Sequence, residues 1–486
     1  MTLRMSTKKV ILKNISALFG AQIITSLLTP LLLIFIARKL GDEIFGAYSF
    51  IIALTQIFLI ISDFGIKAVA TRDVARNPAR VGEYLGNIII LKLLFSALTV
   101  LILILFVSLI DVPRDTTVAS YIFAAGLFFQ SMSYAFRWVF HALQTMEYEA
   151  IQRVAERALL LVLSLSVLWK GLGLFALSIA FLITQIIIFG LSLFFVAKTI
   201  KLPQIKINLS FCTYIIKTAI FFALCEVLWM IYFKIDQVML GKLKGELEVG
   251  WYNEGYLIVN FLSLTPMLLM TVMFPVLSHL YEKETHRLKE TSQRLFRYLI
   301  TTALLLTPVI FILSDKIITV IYGPVYLHAV KALKILIFAV IFIFPVHLLS
   351  HILASSNRHK QLALINFSGV IVNVGLNFIL IPKFSYQGAG IATIITQIML
   401  CLLLYASVKK FIEIKASNII LKLVPGLIAM VFVLYIMPNF LLVPSIILAV
   451  LAYAGSAYLT GCIKKEDLTM FFEIIKERSS LNNSNL

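Results

Sequence analysis

The sequence predicts an all-α integral membrane protein with 14 transmembrane helices, arranged as two parallel six-helix lobes plus a terminal hairpin. Three observations predict this fold class: the apolar composition, the recurrence of long apolar runs, and an internal repeat. Of the 486 residues, 60% are hydrophobic and only 14% are charged. A soluble fold could not bury that much apolar side chain, so the composition is typical of a membrane protein.

Apolar runs of about 20 residues recur from end to end, as in "LGNIIILKLLFSALTVLILILFVSLI". Such a run is long enough to cross roughly 30 Å of hydrocarbon as a helix, at about 1.5 Å per residue. Strands of a membrane barrel would be about ten residues long and would alternate polar with apolar side chains, so helices are favoured. The predicted spans are centred near residues 24, 55, 98, 129, 161, 184, 226, 265, 310, 341, 371, 399, 428 and 450.

The distribution of Lys and Arg fits this number of spans. With the amino terminus inside, 29 of the 42 basic residues flank the inner side, 10 flank the outer side, and Lys92, Arg137 and Lys234 lie within spans. Because cytoplasmic flanks are enriched in Lys and Arg, we expect a multi-pass protein of the cytoplasmic (inner) membrane with both termini inside. The net charge of +18 then faces anionic membrane lipids, and no nucleic-acid partner is expected.

A short motif occurs twice, as "LGDEIFGAY" and "KGELEVGWY", with the same spacing of two Gly and a Tyr. Two further matches, "FHAL" with "SHIL" and "IAFLITQI" with "IATIITQI", follow in the same order and indicate a duplication. Six spans separate the copies, so the two halves have the same orientation, and we expect a substrate site between them and alternating access. The predicted domains are lobes at 1–205 and 206–413, a hairpin at 414–463, and a cytoplasmic tail at 464–486.

We interpret the repeated motif as the outer hinge of each lobe. Its glycines would permit a tight reversal of the chain and a close approach of two helices. The substrate site is therefore expected on the polar helix faces below the motif.

Polar side chains at helical spacing mark faces that are turned towards protein or water. The first two spans and the eighth span carry such stripes, and their substrate-binding candidates are Gln22, Thr25, Gln56, Asn253, Tyr256 and Asn260. The alternative is hydrogen bonding between helices within one lobe, worth only about 0.6 kcal/mol per contact.

Ionisable residues inside the membrane cost about 2.5 to 3.5 kcal/mol at its centre, so they are retained when they are paired, hydrated or used. The candidates are Arg137, Glu226, Lys234 and Asp236. Lys234 and Asp236 are two positions apart, about 200° around a helix, and cannot both face the substrate route. A structural ion pair, or snorkelling near the end of a span, is the alternative for each of them.

The sequence contains no phosphate-binding glycine loop, no nucleophile elbow and no set of metal ligands. We therefore expect a protein that is not an enzyme and that needs no cofactor or metal. Transport would then draw on the membrane potential, on the gradient of the substrate itself, or on a coupling cation, H⁺ or Na⁺.

The segments "NISALFGAQIITSLLTPLLLIFIARKLGDEIFGAYSF", "FKIDQVMLGKLKGELEVGWYNEGY" and "INFSGVIVNVGLNFILIPKFSYQGAGIATIITQI" resemble the polysaccharide transporter (O-antigen flippase) family of the multidrug/oligosaccharidyl-lipid/polysaccharide flippase superfamily. The resemblance implies a V-shaped pair of six-helix lobes that moves a polyprenyl-diphosphate-linked oligosaccharide to the outer leaflet. It also implies that cations such as Arg137 and Lys234 face the diphosphate, because Lys and Arg suit phosphate oxygens.

Two other functions remain open from the sequence. A multidrug exporter of the same superfamily would usually stop at twelve spans, and a preference for organic cations would favour interior acids over bases. A non-transporting membrane component of polysaccharide assembly, such as a scaffold or a polymerase, is the second. A polymerase would be expected to show a large outer loop, and the outer connections of this chain are short.

Overall fold

The structure, a computed structural model, describes residues 7–200, 208–436 and 442–462. These residues are helical almost throughout and include no strand, so the predicted all-α fold is confirmed. This described part of the chain contains fifteen α-helices, some of them joined by short turns or single 3-10 turns. They are α1 (Thr7–Asp63), α2 (Ile66–Arg76), α3 (Val81–Leu109), α4 (Arg114–Tyr134), α5 (Arg137–Ala142), α6 (Glu147–Trp169), α7 (Leu174–Thr199), α8 (Leu209–Lys244), α9 (Glu246–Lys283), α10 (Thr285–Ile321), α11 (Ala329–Leu336), α12 (Val340–Ser355), α13 (His359–Lys409), α14 (Ala416–Ile436) and α15 (Leu442–Leu459).

Each of the fourteen predicted span centres lies in one of these helices. The long helices α1 and α13 each contain two of the predicted spans and are interrupted by one non-helical residue. That residue is Gly41 in α1 (φ 83°, ψ 169°) and Ser385 in α13 (φ 53°, ψ −136°). Among the described residues, eight helices are long and apolar enough to cross a membrane by themselves, and these two interrupted helices are counted once each.

Local sequence explains where several helices begin. The side chain of Asn208 accepts a hydrogen bond from the backbone N–H of Phe211 at 3.1 Å and so caps the start of α8. The first turn of α6 contains Glu147 and Glu149, whose negative charge suits the positive end of the helix dipole.

Packing divides the chain into two compact units. The first unit comprises Met1–Leu257, Ile318–Ala332 and Asn366–Ala392, and the second comprises Ile258–Ile317, Leu333–Ile365 and Thr393–Leu486. The division into repeat lobes that the sequence suggests is a different description of the chain and stays a prediction.

The first unit has an apolar core where α2, α3, α5 and α8 meet. Trp138, Phe140 and Tyr84 are buried there together with Ile215. In the second unit α14 packs closely on α15, since a side chain at Gly426 would meet Ser456 and the backbone oxygen of Tyr453 at 3.1 Å. The Tyr453 hydroxyl also donates to the backbone oxygen of Thr301 at 3.1 Å, which ties α15 to α10.

The repeated glycine motif forms a contact between α1 and α9. A Cβ added at Gly46 would collide with the backbone oxygen of Glu246, and one added at Gly250 would collide with that of Asp42. Glu246 lies four residues before Gly250, and Asp42 lies four residues before Gly46, so the contact is reciprocal. We call this the glycine contact. The preceding glycine of each copy has positive φ, 83° at Gly41 and 99° at Gly245, which explains why glycine is used there.

Candidate functional site

Arg137 lies in a buried ion pair with Glu156, inside the first unit. Its Nη2 is 3.2 Å from Glu156 Oε2, and its guanidinium lies 3.5 Å from the centre of the Tyr134 ring. Gln130 and Gln185 donate to the other carboxylate oxygen of Glu156 at 3.1 and 3.3 Å. The charge of Arg137 is therefore balanced, and its side chain is positioned, by groups on α4, α6 and α7.

A second buried carboxylate, Glu149 at the start of α6, is surrounded by basic side chains. Arg153 Nη2 and Lys67 Nζ lie 2.6 and 3.6 Å from it, and His141 Nε2 contacts its other oxygen. We call these four residues the Glu149 cluster. Burial alone would raise the pKa of Glu149, but the hydrogen bond from His141 and the charges of Lys67 and Arg153 outweigh it and hold the pKa far below its ordinary value.

The basic members of the Glu149 cluster are only partly enclosed. The side chains of Lys67 and Arg153 remain 35% and 32% exposed, whereas Glu149 has no exposed side-chain surface. Burial lowers the pKa of Lys67, the charge of Glu149 opposes that change, and the positive charges of Arg137 and Arg153 add to the lowering. The cluster therefore presents cations at its surface and keeps its acid inside.

Arg157 lies one turn after Arg153 on α6 and is half-buried. Within the described part of the chain it has no ion pair and no hydrogen bond from its side chain. The apolar residues that α6 exposes, such as Ile151 and Val162, lie roughly 130° around the helix from Arg157. Arg157 is therefore on a side of α6 that faces α1, where its charge acts on Tyr48.

The charges of this region do not balance. Lys67, Arg137, Arg153 and Arg157 supply four positive charges, while Glu149 and Glu156 supply two negative ones, which leaves an excess of two positive charges. Since both carboxylates already have basic partners, this excess makes the region suitable for an anionic group.

A separate layer of hydrogen-bonded polar groups joins α1, α8, α9 and α13 in the first unit. Asp236 accepts from the Tyr252 hydroxyl at 2.8 Å and from Asn377 Nδ2 at 2.6 Å. Next to it, Asn253 accepts from Gln237 at 2.9 Å and donates to Ser49 at 2.7 Å. We call these residues the polar layer. It contains two of the predicted site residues, Asp236 and Asn253, and the ring of a third, Tyr256, stacks on Tyr252 at 5.5 Å.

The other predicted residues are not joined to the polar layer or to the Glu149 cluster by a described hydrogen bond. Gln22 donates to Ser26 at 3.2 Å, and Thr25 donates to the backbone oxygen of Ala21 at 2.8 Å, so both bond within α1. Gln56 and Lys234 are half-buried and have no polar partner among the described residues.

Two predicted residues are assigned to none of these groups. Asn260 belongs to the second compact unit. The side chain of Glu226 lies outside the described residues. The structure thus brings Asp236, Asn253 and Tyr256 together and places Arg137 in its own ion pair.

Sequence reasoning did not select Lys67, Glu149, Arg153 or Arg157 for the site. A signal was present on α6, where Glu149 and Arg153, and then Arg153 and Arg157, are four residues apart and so share one helix face. Asn377 was also missed, because its partner Asp236 lies on a different helix, distant in sequence.

The helices and buried polar clusters described above define the class of a multi-pass α-helical membrane protein. Residues 11–281 match the family described as "Polysaccharide biosynthesis protein", and residues 219–379 match the MatE family. The first match covers more than half of the chain. The chain therefore belongs to the polysaccharide biosynthesis protein family, and its predicted place in the multidrug/oligosaccharidyl-lipid/polysaccharide flippase superfamily is confirmed.

Among curated proteins, the "Probable low-salt glycan biosynthesis flippase Agl15" of Haloferax volcanii is 25% identical over 407 residues, which cover 82% of this chain and 83% of that protein. An uncharacterized membrane protein of Methanocaldococcus jannaschii is 27% identical over 209 residues, 42% of this chain and 41% of that protein. Both relatives are therefore distant in sequence.

Solved structures show the same fold. The "Lipid II flippase MurJ, inward closed conformation" matches with a TM-score of 0.73 and 17% identity, over 91% of this chain and 98% of that one. A multidrug resistance MATE family transporter in an inward-facing conformation matches with a TM-score of 0.67 and 14% identity, over 81% and 95%. At these identities the likeness concerns the fold alone.

Proposed function

We propose that this protein is a flippase that moves a polyprenyl-diphosphate-linked oligosaccharide, such as a polysaccharide or O-antigen repeat unit, from the cytoplasmic to the outer leaflet by alternating access. The observation that carries the proposal is the excess of two positive charges around the Glu149 cluster and Arg157. The family and the glycan flippase of Haloferax volcanii support the same class of cargo.

The chemistry of the cations suits a diphosphate. Arginine presents a planar fork of N–H donors that binds phosphate oxygens in pairs, and lysine adds a point charge. Arg157 has no competing acid among the described residues, so it is the cation most available to the headgroup. The amide and hydroxyl groups of the polar layer, such as Asn253 and Tyr252, suit sugar hydroxyls.

The remaining organisation follows from the sequence. We infer a protein of the cytoplasmic membrane with both termini inside, with repeat lobes at 1–205 and 206–413 and a hairpin at 414–463. The positive-inside distribution of Lys and Arg supports this orientation. The candidate sources of energy are a coupling cation, H⁺ or Na⁺, the membrane potential, and the gradient of the substrate itself.

The test is transport by purified protein in liposomes. A fluorescent polyprenyl-diphosphate oligosaccharide is placed in both leaflets, and its accessibility to a membrane-impermeant quencher is followed in time. Wild-type protein should accelerate exchange between the leaflets. Arg157→Gln should slow it about tenfold or more, since a charge-assisted hydrogen bond contributes about 1.5 to 3 kcal/mol.

The matched control is Arg114→Gln, which removes an exposed arginine at the start of α4. It should leave the rate unchanged. Absence of flipping by folded wild-type protein, or equal rates for Arg157→Gln and wild type, would contradict the proposal.

A multidrug exporter is the second candidate, because the MatE family matches residues 219–379. Such a protein would need interior acids that are free to receive an organic cation. Of the acids in the Glu149 cluster, the Arg137 ion pair and the polar layer, Glu149 and Glu156 are occupied by basic partners, and Asp236 accepts two hydrogen bonds. This second candidate predicts that cationic dyes, rather than the sugar lipid, are moved in the same liposomes.

A further inference from the structure

Glu254 is a buried acid near the start of α9 that has no counterpart among the paired acids described above. Its side chain has no exposed surface, and neither carboxylate oxygen has a hydrogen-bond partner within the described residues. It lies one turn after Gly250 on α9 and is therefore close to the glycine contact.

The groups that face Glu254 do not neutralise it. Asp42 on α1 is itself an acid, and its Oδ2 accepts from Trp251 Nε1 at 2.9 Å. The two nearby phenols donate elsewhere: Tyr322 donates to the backbone oxygen of Glu254, and Tyr326 donates to that of Ala37. Arg38 on α1 is exposed and directs its guanidinium to the backbone oxygens of Val320 and Ile321.

The other copy of the motif shows that packing at the position of Glu254 does not need an acid. Ser49 and Asn253 are 204 residues apart, occupy the same place in the two copies of the motif, and bond to each other at 2.7 Å. One residue further along, the corresponding pair is Phe50 and Glu254. Phe50 is fully buried, and its ring lies against Gly241. One copy therefore fills the position with an apolar ring, and the other fills it with a carboxyl group.

We propose that Glu254 is a proton-binding site that couples protonation to the state of the glycine contact, with the neutral acid favouring the closed contact. This inference rests on the proposed transport function and assigns H⁺ as its coupling cation. It also names the residue that would carry the proton.

The physical reason is the cost of a buried charge. An ionised carboxylate without a cation or a hydrogen-bond donor is strongly destabilised in a protein interior, whereas the neutral acid is destabilised far less. When α1 and α9 part at Gly46 and Gly250, water can reach Glu254, and the carboxyl group can release its proton. By linkage, binding a proton must then favour the closed contact, and losing it must favour the open one.

The sequence of events fits export driven by a proton gradient. After cargo has left on the outer side, the carboxylate of Glu254 is hydrated and can bind a proton from that side. The resulting neutral acid favours closure of the glycine contact, which is the step that returns the carrier for another cargo molecule. Release of this proton to the cytoplasm from the inward-facing state leaves the carboxylate ionised and favours reopening, so one H⁺ moves inward for each cargo molecule that moves outward.

The experiment measures the glycine contact directly. Spin labels are attached at Lys39 and Lys244, two exposed positions beside it, after the native cysteines are replaced by serine. The distance between the labels is measured by pulsed EPR in lipid nanodiscs between pH 5 and pH 9, without cargo. The ratio of long to short distances should rise with pH, by up to about tenfold per unit for one proton.

Glu254→Gln mimics the neutral acid and should keep the short distance at every pH. Glu254→Phe copies the first repeat and should do the same, which guards against an effect specific to the amide. Glu43→Gln removes an exposed acid of the same turn on α1 and should respond to pH as the wild type does.

A distance that is independent of pH in the wild type would overturn the proposal, as would a normal pH response in Glu254→Gln or its loss in Glu43→Gln. The measurement contains no sugar lipid, so its failure leaves the flippase assay intact. Conversely, if the contact depends on pH in protein that moves no sugar lipid, the proposed cargo is wrong and the proposed proton site stands.

Discussion

Glu149 and Glu254 are the same side chain at the same degree of burial, yet their surroundings are opposite. Three basic groups contact Glu149, from Lys67, His141 and Arg153, while the carboxyl group of Glu254 has no hydrogen-bond donor among the described residues. Burial by itself therefore does not assign a role to an acid in a membrane protein. The partners decide whether the carboxylate is a fixed charge that organises cations or a group that can exchange a proton.

The largest difference in stability is expected between variants that replace Glu149 or Glu254 by glutamine. Glu149→Gln leaves three basic groups clustered without their acid and should cost about 4 kcal/mol of stability, as breaking a buried ion pair does. Glu254→Gln removes no partner and should leave stability unchanged or raise it. Thermal unfolding of both variants, followed by tryptophan fluorescence in the same detergent at pH 7, checks this contrast. Equal losses in the two variants would mean that the two acids have equivalent environments.

The glycine contact next to Glu254 offers a steric test with a smaller effect. Gly46→Ala places a Cβ against the backbone oxygen of Glu246, so the helices must shift, at a cost of about 2 kcal/mol. Gly190→Ala on α7 has nothing within 4 Å of the added atom and should be neutral or slightly stabilising. The readouts are the unfolding temperature and the distance between labels at Lys39 and Lys244. An unchanged distance in Gly46→Ala would show that the close approach is not maintained in the membrane.

Lowering the pH should weaken the stabilisation that the ion pairs of Glu149 give to the fold. Because the pKa of Glu149 in the folded protein is far below its ordinary value of 4.5, its ion pairs stabilise the fold fully above that value. The stabilisation falls as the pH drops below 4.5, by at most about 1.4 kcal/mol per pH unit. The difference in unfolding temperature between wild type and Glu149→Gln should be smaller at pH 3.5 than at pH 6, without vanishing. If this difference in unfolding temperature were the same at both pH values, the pKa of Glu149 would not be lowered in the folded protein.

The sequence predicted the fold well because its signals are local. Runs of apolar residues locate the helices, and the repeated motif predicted a tight turn in each copy, where Gly41 and Gly245 have positive φ. Each of these properties depends on neighbours within one or two turns. The sequence did not predict that Gly46 and Gly250 meet in one contact between the two copies, because these glycines are far apart in the chain. Helical spacing also selected Asn253 and Tyr256, which lie in or against the polar layer.

The sequence could not predict the ion pairs, because they join helices that are far apart in the chain. Lys67 on α2 meets Glu149 on α6, and Asn377 on α13 meets Asp236 on α8. For Arg137, pattern reasoning left an aqueous role and a structural pair equally open, and only the position of Glu156 determines its partner in this structure. Helical spacing could not select Glu254 either, because its significance depends on comparison with Phe50 in the other copy of the motif.

The reciprocal geometry at Gly46 and Gly250 is that of an isologous dimer contact encoded within one polypeptide. In a homodimer of half-length chains, every substitution in such a patch would occur on both sides of the two-fold axis at once. In the single chain that the predicted duplication would produce, that constraint is absent and each side can change alone. The pairs Ala47 with Trp251 and Phe50 with Glu254 are differences of this kind.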